Sequence, residues 1–508
     1  MPVSFGLTSS RVVRVSRFLV SLLTVVASVV PLARFLGIAV ARIRYPFDLE
    51  WCEGGIIGHI RMVLDGHQLY RVPSFDFTPY FYPPLYYYVS ALPSLLLGLG
   101  HLAPRLVSFG SILGCFVLLG RWVRDETGDP VAGIAAIGVL SATYQITGYW
   151  FELARVDSFF LLLVMSAHML ARTAKTKRRA VIVGVLIAAS CFTKQLGFPM
   201  AVPAIACLTL RSWRLGVVGA VVSGTLVLLT ILAFNISSHG WFLYYFLELP
   251  SRHHIEWDRL WTQFQPYFLN NTFPMTLAGV AVVFGIGFGN SWRRALFHAV
   301  FVGVACTSSF LPFLKSGGYP NGLIPAYTAL ALASGVSLAW LRRARFDSLL
   351  GALGPPLAAC CVLMLQVGVL DYDPALALPS ANDLDANQKV VERLKQLPKP
   401  LFVTGPGYYN IVADRDTEAT DTMGLIDIFK GGGPQAKQLE ATIKQDIRNH
   451  RYKTIVVDRV SGFLPDDIAL LIRQEYRPRG SVLQGLPPDV MWPKSGALLR
   501  PDGVWVAP

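Results

Sequence analysis

Charge is scarce in this sequence: only 15% of its 508 residues are Asp, Glu, Lys or Arg, against 53% hydrophobic. A set of ordinary soluble domains is thereby excluded, because their cores do not need apolar stretches on that scale. Cysteine chemistry is also lacking. The seven cysteines are scattered, none is spaced as CxxC, and the Cys360-Cys361 pair lies inside an apolar run, so neither a disulfide framework nor a zinc site is indicated. Internal repeats and long low-complexity tracts are missing. The turn Gly405-Pro406-Gly407 lacks the spaced glycines and following helix of a dinucleotide site, and reads as a strand-to-loop turn. A formal net charge of +13 does not imply nucleic acid as a partner, because Lys and Arg fall in short clusters between apolar runs rather than on one basic face.

What the chain does have is a series of apolar runs long enough, or nearly so, to cross a bilayer. They cover Phe18 to Ala41, Ala103 to Val123, Val131 to Trp150, Val156 to Ala171, Ala180 to Phe192, Leu196 to Leu210, Leu215 to Phe234, Phe273 to Phe288, Ala295 to Leu314, Leu323 to Leu341 and Leu349 to Leu370. An all-α polytopic membrane bundle of about eleven spans is expected over residues 1–370. The first run is too long for a signal-peptide core and lacks a small-residue cleavage site, so it is read as the first span. Basic clusters set the orientation, since short cytoplasmic loops are enriched in Lys and Arg. Arg11, Arg14 and Arg17, then Arg121 and Arg124, Arg172 to Arg179, Arg211 and Arg214, Arg293 and Arg294, and Arg342 to Arg345 recur at every second loop. The N-terminus is therefore placed in the cytoplasm and the intervening loops outside. Counting Leu85 to Gly100 as a span would invert every later cluster, so this segment is read as an interfacial or re-entrant helix, with Tyr80, Tyr82, Tyr86, Tyr87 and Tyr88 at headgroup depth. Residues 42–102 then form one large outer loop. Residues 371–508, richer in Asp, Pro, Lys and Gln, read as a small soluble α/β domain on the outer face, with no catalytic role assigned.

The outer loops hold the candidate chemistry. Asp48, Glu50 and Glu53 set three carboxylates within six positions beside a membrane, where ionised groups are costly unless used or solvated. A carboxylate there suits a general base that deprotonates an attacking hydroxyl; a solvated loop leading into an acidic helix start is the alternative. Tyr80-Phe81-Tyr82-Pro83-Pro84-Leu85 offers ring faces to a sugar or prenyl chain, or else an aromatic belt. Arg155, Lys194 and Lys315 are isolated cations near the outer boundary, suited to a lipid phosphate. The alternatives are an ion pair of Arg155 with Asp157 or Glu152 and snorkelling lysines. Arg252 and His253 follow in a long outer loop as phosphate contacts; adjacent His253 and His254 do not define a metal site. Gly317-Gly318-Tyr319-Pro320-Asn321 permits close backbone approach beside Lys315.

Together these marks resemble membrane glycosyltransferases of the C-type fold, the superfamily of protein O-mannosyltransferases and lipid A aminoarabinose transferases. The resemblance covers approximately Phe18 to Leu341. It rests on the acidic first loop, the YPPLYYY stretch, LARVD at Leu153 to Asp157, FTKQ at Phe192 to Gln195 and GGYPN at Gly317 to Asn321. It implies inverting transfer of one sugar, a hexose or pentose, from a polyprenyl-phosphate carrier to a glycan, lipid or protein acceptor on the non-cytoplasmic face, in a bacterial inner membrane. The expected base is Glu53 or Glu50, with Asp48 third, and Asp157 matches a second-loop aspartate near the centre. The family's basic residue before the paired prolines is replaced here by Tyr82, so Lys194, Arg155 or Lys315 would have to meet the carrier phosphate. The adjacent Asp-Glu pair common in relatives is also missing, which leaves the choice of base open. Members include metal-assisted and metal-independent cases, so a divalent metal stays an open possibility and no metal ligand is assigned. A lipid or sugar transporter is the rival reading; it is expected to carry ionisable groups in the middle of broken helices rather than at their outer ends.

Overall fold

The computed structural model describes residues 5–289, 291–344, 349–414, 422–458 and 464–508. The bundle consists of α1 (Phe5–Arg42), α2 (Glu53–Leu64), α3 (Leu85–Leu97), α4 (Leu102–Thr127), α5 (Pro130–Ala142), α6 (Asp157–Thr173), α7 (Lys177–Cys191), α8 (Gly197–Arg211), α9 (Trp213–Ser237), α10 (Phe273–Val283), α11 (Trp292–Phe313), α12 (Ile324–Arg343) and α13 (Leu349–Val369). Each of the eleven expected runs carries a helix. Six stretches are long and apolar enough to cross a membrane: Val12–Arg42, Leu102–Thr127, Trp213–Ser237, Trp292–Phe313, Pro320–Arg343 and Ala352–Val369. The other five, α5 to α8 and α10, have 11 to 17 residues. The chain is an integral membrane protein, and its exposed apolar side chains, such as Leu228, Leu229 and Ile236 on α9, are what a lipid environment requires.

Local signals explain the helix ends that position the site. Gly128 closes α4 in the left-handed region, and Asp129 then caps α5, its carboxylate accepting from the Val131 and Ala132 N–H groups with Pro130 at the first helical position. The run expected to reach Trp150 stops as a helix at Ala142. Gly148 and Tyr149 both have positive φ, and the following segment is held by Arg42, whose Nη2 donates to the Tyr149 carbonyl at 2.5 Å. Residues 143–156 thus form a buried loop that carries Trp150 and Arg155 at the end of the bundle away from the basic loops.

The helix over Leu85–Leu97 exists, with Leu92, Leu95 and Leu96 exposed along one face, as an interfacial helix needs. Its tyrosines do not form the expected belt. Tyr80, Tyr86 and Tyr87 are core residues: the Tyr86 hydroxyl donates to the Pro104 carbonyl at 2.8 Å, and His59 stacks on Tyr87 at 4.7 Å. The Tyr86 and Tyr80 hydroxyls find partners inside the protein, Tyr80 donating to the Cys52 carbonyl at 3.4 Å, whereas the Tyr87 hydroxyl is buried without a hydrogen-bond partner; of the five tyrosines Tyr88 is the one that stays exposed.

The tail holds α14 (Ala381–Lys395), α15 (Tyr408–Ala413), α16 (Thr422–Gly431), α17 (Gly433–Arg448) and α18 (Asp466–Glu475). Its sheet has the order β1-β2-β4-β3, from β1 (Leu401–Val403), β2 (Thr454–Val457), β3 (Arg477–Ser481) and β4 (Gly503–Val506). Strands β1 and β2 are parallel with Leu401 opposite Thr454, while β4 runs antiparallel to both β2 and β3. A capping box of Ser380 and Asp383 starts α14. This α/β part is fastened to the first outer loop. Phe402 packs on Phe75 at 4.2 Å, the Lys494 N–H donates to the Leu49 carbonyl at 2.8 Å, and a Cβ on Gly54 would lie 2.3 Å from the Tyr408 nitrogen.

Candidate active site

A cavity of about 260 Å³ lies at the end of the bundle away from the basic loops, where the first loop, the 143–156 loop, the α7–α8 turn, the segment after α11 and the tail meet. Its cationic wall contains Arg155, Lys194 and Lys315; aromatic and apolar surface comes from Trp51, Phe81, Tyr82, Trp150, Leu196 and Phe313. Of the expected residues, Arg155, Lys194, Lys315, Tyr82, His253 and Asn321 line it together.

Two carboxylates stand directly behind this wall. Asp157, at the start of α6, accepts from the Lys194 ammonium at 2.6 Å and from Asn321 Nδ2 at 3.0 Å, both through Oδ1; Oδ2 is buried without a hydrogen-bond partner. Glu50 accepts from the Cys52 N–H at 3.1 Å and sits 3.5 Å from Arg155 Nη1. Arg155 is therefore paired with Glu50, not with Asp157 or Glu152; Glu152 is taken by Arg42 at 2.5 Å and by the Tyr144 hydroxyl. The Arg155 guanidinium lies over the Trp150 ring at 4.5 Å and donates from Nη2 to the Tyr82 hydroxyl at 3.2 Å. Its Nε and Nη1 are buried and make no hydrogen bond. Buried donors of this kind cost about 1–3 kcal/mol each unless an acceptor arrives. Burial holds the Tyr82 hydroxyl above its ordinary pKa, so it stays a neutral phenol. Burial likewise lowers the pKa of Lys315, which donates to the Pro250 carbonyl at 2.8 Å, and that of His253, whose Nε2 is 3.1 Å from the Asp427 carbonyl.

Three expected residues do not join the cavity. Glu53, foremost among the expected bases, lies in a separate buried cluster. Its oxygens accept from Arg105 Nε at 2.8 Å and Nη2 at 2.6 Å, and from the N–H groups of Leu49 and Ala154, both at 2.8 Å. Burial works to raise its pKa, but the charge and hydrogen bonds of Arg105 outweigh it and hold the carboxyl at about 2. Such a group locks the loop and is a poor base. Asp48 is 2.7 Å from His101 Nε2 in the same cluster. Burial and the Glu53 charge push Asp48 well up, while burial and Arg105 push His101 down to about 3, so both shifts disfavour an ionised pair. Arg252 instead docks α16 and α17, donating to the Gly432 carbonyl at 2.8 Å and pairing with Glu248 at 2.5 Å.

Asp48, Glu53 and His101 bring one ligand-type atom each within 4.8 Å of one another. The set does not fit a divalent cation, because the adjacent Arg105 guanidinium already occupies both Glu53 oxygens and its charge opposes a second cation.

Arg105 itself was not legible as a site residue; it sits at the start of an apolar run, 52 positions from its partner. The tail contributes to the same cavity. Met423 and Asp427 line the cavity, the Ser495 hydroxyl accepts from Trp150 Nε1 at 2.6 Å, and the Gly496 N–H donates to the Tyr319 hydroxyl at 2.7 Å.

No protein-family model and no curated protein matches this chain. Solved structures do. The chain is similar to ArnT from Cupriavidus metallidurans in the apo state, with 14% identity, a TM-score of 0.58 and 94% of this chain aligned with 97% of that one. It is likewise similar to the same protein bound to undecaprenyl phosphate, with 14% identity, a TM-score of 0.54 and coverage of 93% and 97%. The bundle and the α/β tail therefore make up a C-type membrane glycosyltransferase fold, the fold of ArnT, across nearly the whole chain.

Proposed function

We propose that this protein is a membrane glycosyltransferase that takes a sugar from a polyprenyl-phosphate carrier on the non-cytoplasmic face of a bacterial inner membrane. The observation that carries this reading is the Arg155 guanidinium, with two buried nitrogens that donate no hydrogen bond, set beside the Lys194 ammonium in a cavity with apolar walls. Guanidinium forks and ammonium groups are the usual partners of phosphate oxygens, and placed in advance they stabilise charge that develops on a departing phosphate. The undecaprenyl phosphate in the similar ArnT structure is a ligand of that chemistry.

The residues divide the work as follows. An acceptor hydroxyl attacks the anomeric carbon, the bond from that carbon to the phosphate oxygen breaks, and the electron pair leaves with polyprenyl phosphate, whose charge Arg155 and Lys194 neutralise. The hydroxyl proton goes to one of the two carboxylates directly behind the cationic wall, Glu50 or Asp157. Tyr82, Trp150 and Tyr319 offer ring faces to the sugar. Asn321 fixes Asp157, and Lys315 adds positive charge at the rim.

The test is release of free polyprenyl phosphate from polyprenyl-phosphate sugars by the purified protein. Arg155→Ala and Lys194→Ala are expected to lower release by about 100-fold or more, the usual scale for losing a preorganised electrostatic contact. Wild-type rates in both variants would remove the phosphate assignment. No turnover with any carrier sugar would leave transport as the better reading.

A further inference from the structure

A second, larger cavity of about 720 Å³ opens at the opposite end of the bundle. Helix α6 links the two ends: Asp157 stands at the first cavity, and Arg172, 15 positions on and so about 22 Å away along the axis, borders the second. The wall of this second cavity holds Lys175, Arg211 and Arg293, together with Arg172 and Arg294, but only two carboxylates, Asp125 and Glu126. Glu126 is already clamped, by Arg172 and by Arg294 Nη2 at 2.5 Å. Asp125 faces Arg121 at 3.8 Å. Lys175 and Arg293 make no hydrogen bond or ion pair among the described residues, so the concave surface carries uncompensated positive charge.

Topology alone accounts for basic residues in these loops, but not for their lining of one concave volume. The depth of that volume is marked by Trp213 and Trp292, 65% and 62% exposed, each following a serine of the cavity wall, Ser212 or Ser291. Exposed tryptophans of this kind sit at headgroup level. Below the charges the wall turns apolar, with Cys207, Leu210 and Leu215. A phosphate above an acyl chain is the chemistry that matches both parts.

We propose that this cavity is a binding site for the headgroup phosphate of an anionic phospholipid, separate from the outer cavity. Basic pockets between helices on a cytoplasmic leaflet recognise such headgroups. Native mass spectrometry of the full-length protein, titrated with phosphatidylglycerol or with phosphatidylcholine of the same acyl chains, tests it. The wild type is expected to retain phosphatidylglycerol at least about tenfold more tightly, and Lys175→Ala with Arg293→Ala to bring the two lipids level. Lys177→Ala with Arg178→Ala removes the same charge at the same end, from exposed side chains outside the cavity, and is expected to keep the preference. Unchanged melting temperatures would certify that both double variants fold. Equal weakening by the two pairs would reduce the effect to general surface charge and overturn the site. Displacement of the lipid by millimolar inorganic phosphate would assign the cavity to a soluble anion and overturn the lipid assignment.

Discussion

At the scale of the residue, the acidic first loop separates into carboxylates with opposite duties. Glu53 and Arg105 form a fully buried ion pair with every oxygen engaged, and removing one partner of such a pair typically costs about 3–5 kcal/mol. Glu53→Gln is therefore expected to lower the melting temperature and the yield of folded protein, whereas Asp157→Asn, whose partner Lys194 lines the cavity, is expected to cost less stability and to lower turnover. The two variants are separated by measuring stability and carrier release side by side. A pH titration of stability checks the same assignment. The folded-state pKa of Glu53, about 2, lies below its ordinary 4.5, so its stabilisation is complete above about pH 4.5 and is lost as pH falls toward 2. The difference corresponds to roughly 3 kcal/mol, and the acid limb of the stability curve should flatten in Glu53→Gln. Arg155 belongs to the opposite class. Arg155→Lys keeps the charge but loses the fork that bridges Tyr82, Trp150 and the cavity, so it is expected to rescue little of the activity lost in Arg155→Ala.

At the scale of the element, the tail works as one wall of the outer cavity. The loop holding Ser495 and Gly496 is wedged against Trp51, Trp150 and Tyr319, and Gly496 has a φ of 84°. A Cβ at Gly496 would fall 2.0 Å from the Trp51 ring, and a left-handed backbone disfavours any other residue. Gly496→Val is expected to push this loop outward and cut carrier release about tenfold or more, while the membrane helices stay folded; circular dichroism and the release assay read the two effects separately. The expected secondary structure holds where a local pattern dictates it. Long apolar runs gave the helices, and the apolar Leu401 to Thr404 and Thr454 to Asp458 gave two strands close to their observed limits. Strand β3, with the sequence RPRGS, has no alternation to read and exists through its pairing with β4. The end of α5 at Ala142 was hidden for a similar reason, since the buried 143–156 loop is as apolar as a span and is held by Arg42 from over a hundred positions away. The cationic half of the site was legible because isolated cations near a membrane boundary are rare. The Glu53–Arg105 lock was not, because nothing local marks a pair that only folding brings together.

At the scale of the whole molecule, both cavities depend on one topology, with basic loops at one end of the bundle and the carboxylate-bearing loops at the other. If a lipid-borne sugar is delivered to the outer end, the tail must share its compartment, since the tail supplies Met423 and Asp427 to that cavity. Cysteine labelling in intact bacterial spheroplasts decides this. With the native cysteines replaced by serine, Lys437→Cys on α17 is expected to react with a membrane-impermeant maleimide without lysis, and Arg178→Cys, in the first turn of α7, only after lysis. Both side chains are exposed in the structure, so accessibility reports compartment and not burial. The reverse pattern would put the outer cavity in the cytoplasm, where the basic loops would contradict the charge rule that oriented them. Labelling of both positions before lysis would mean that 15-residue α7 and 15-residue α8 do not carry the chain across between Arg178 and the tail as a spanning bundle requires. Helices of that length span only about 22 Å, less than the hydrocarbon core, so their crossing depends on burial against α6, α9 and α11 and on a locally thinned bilayer.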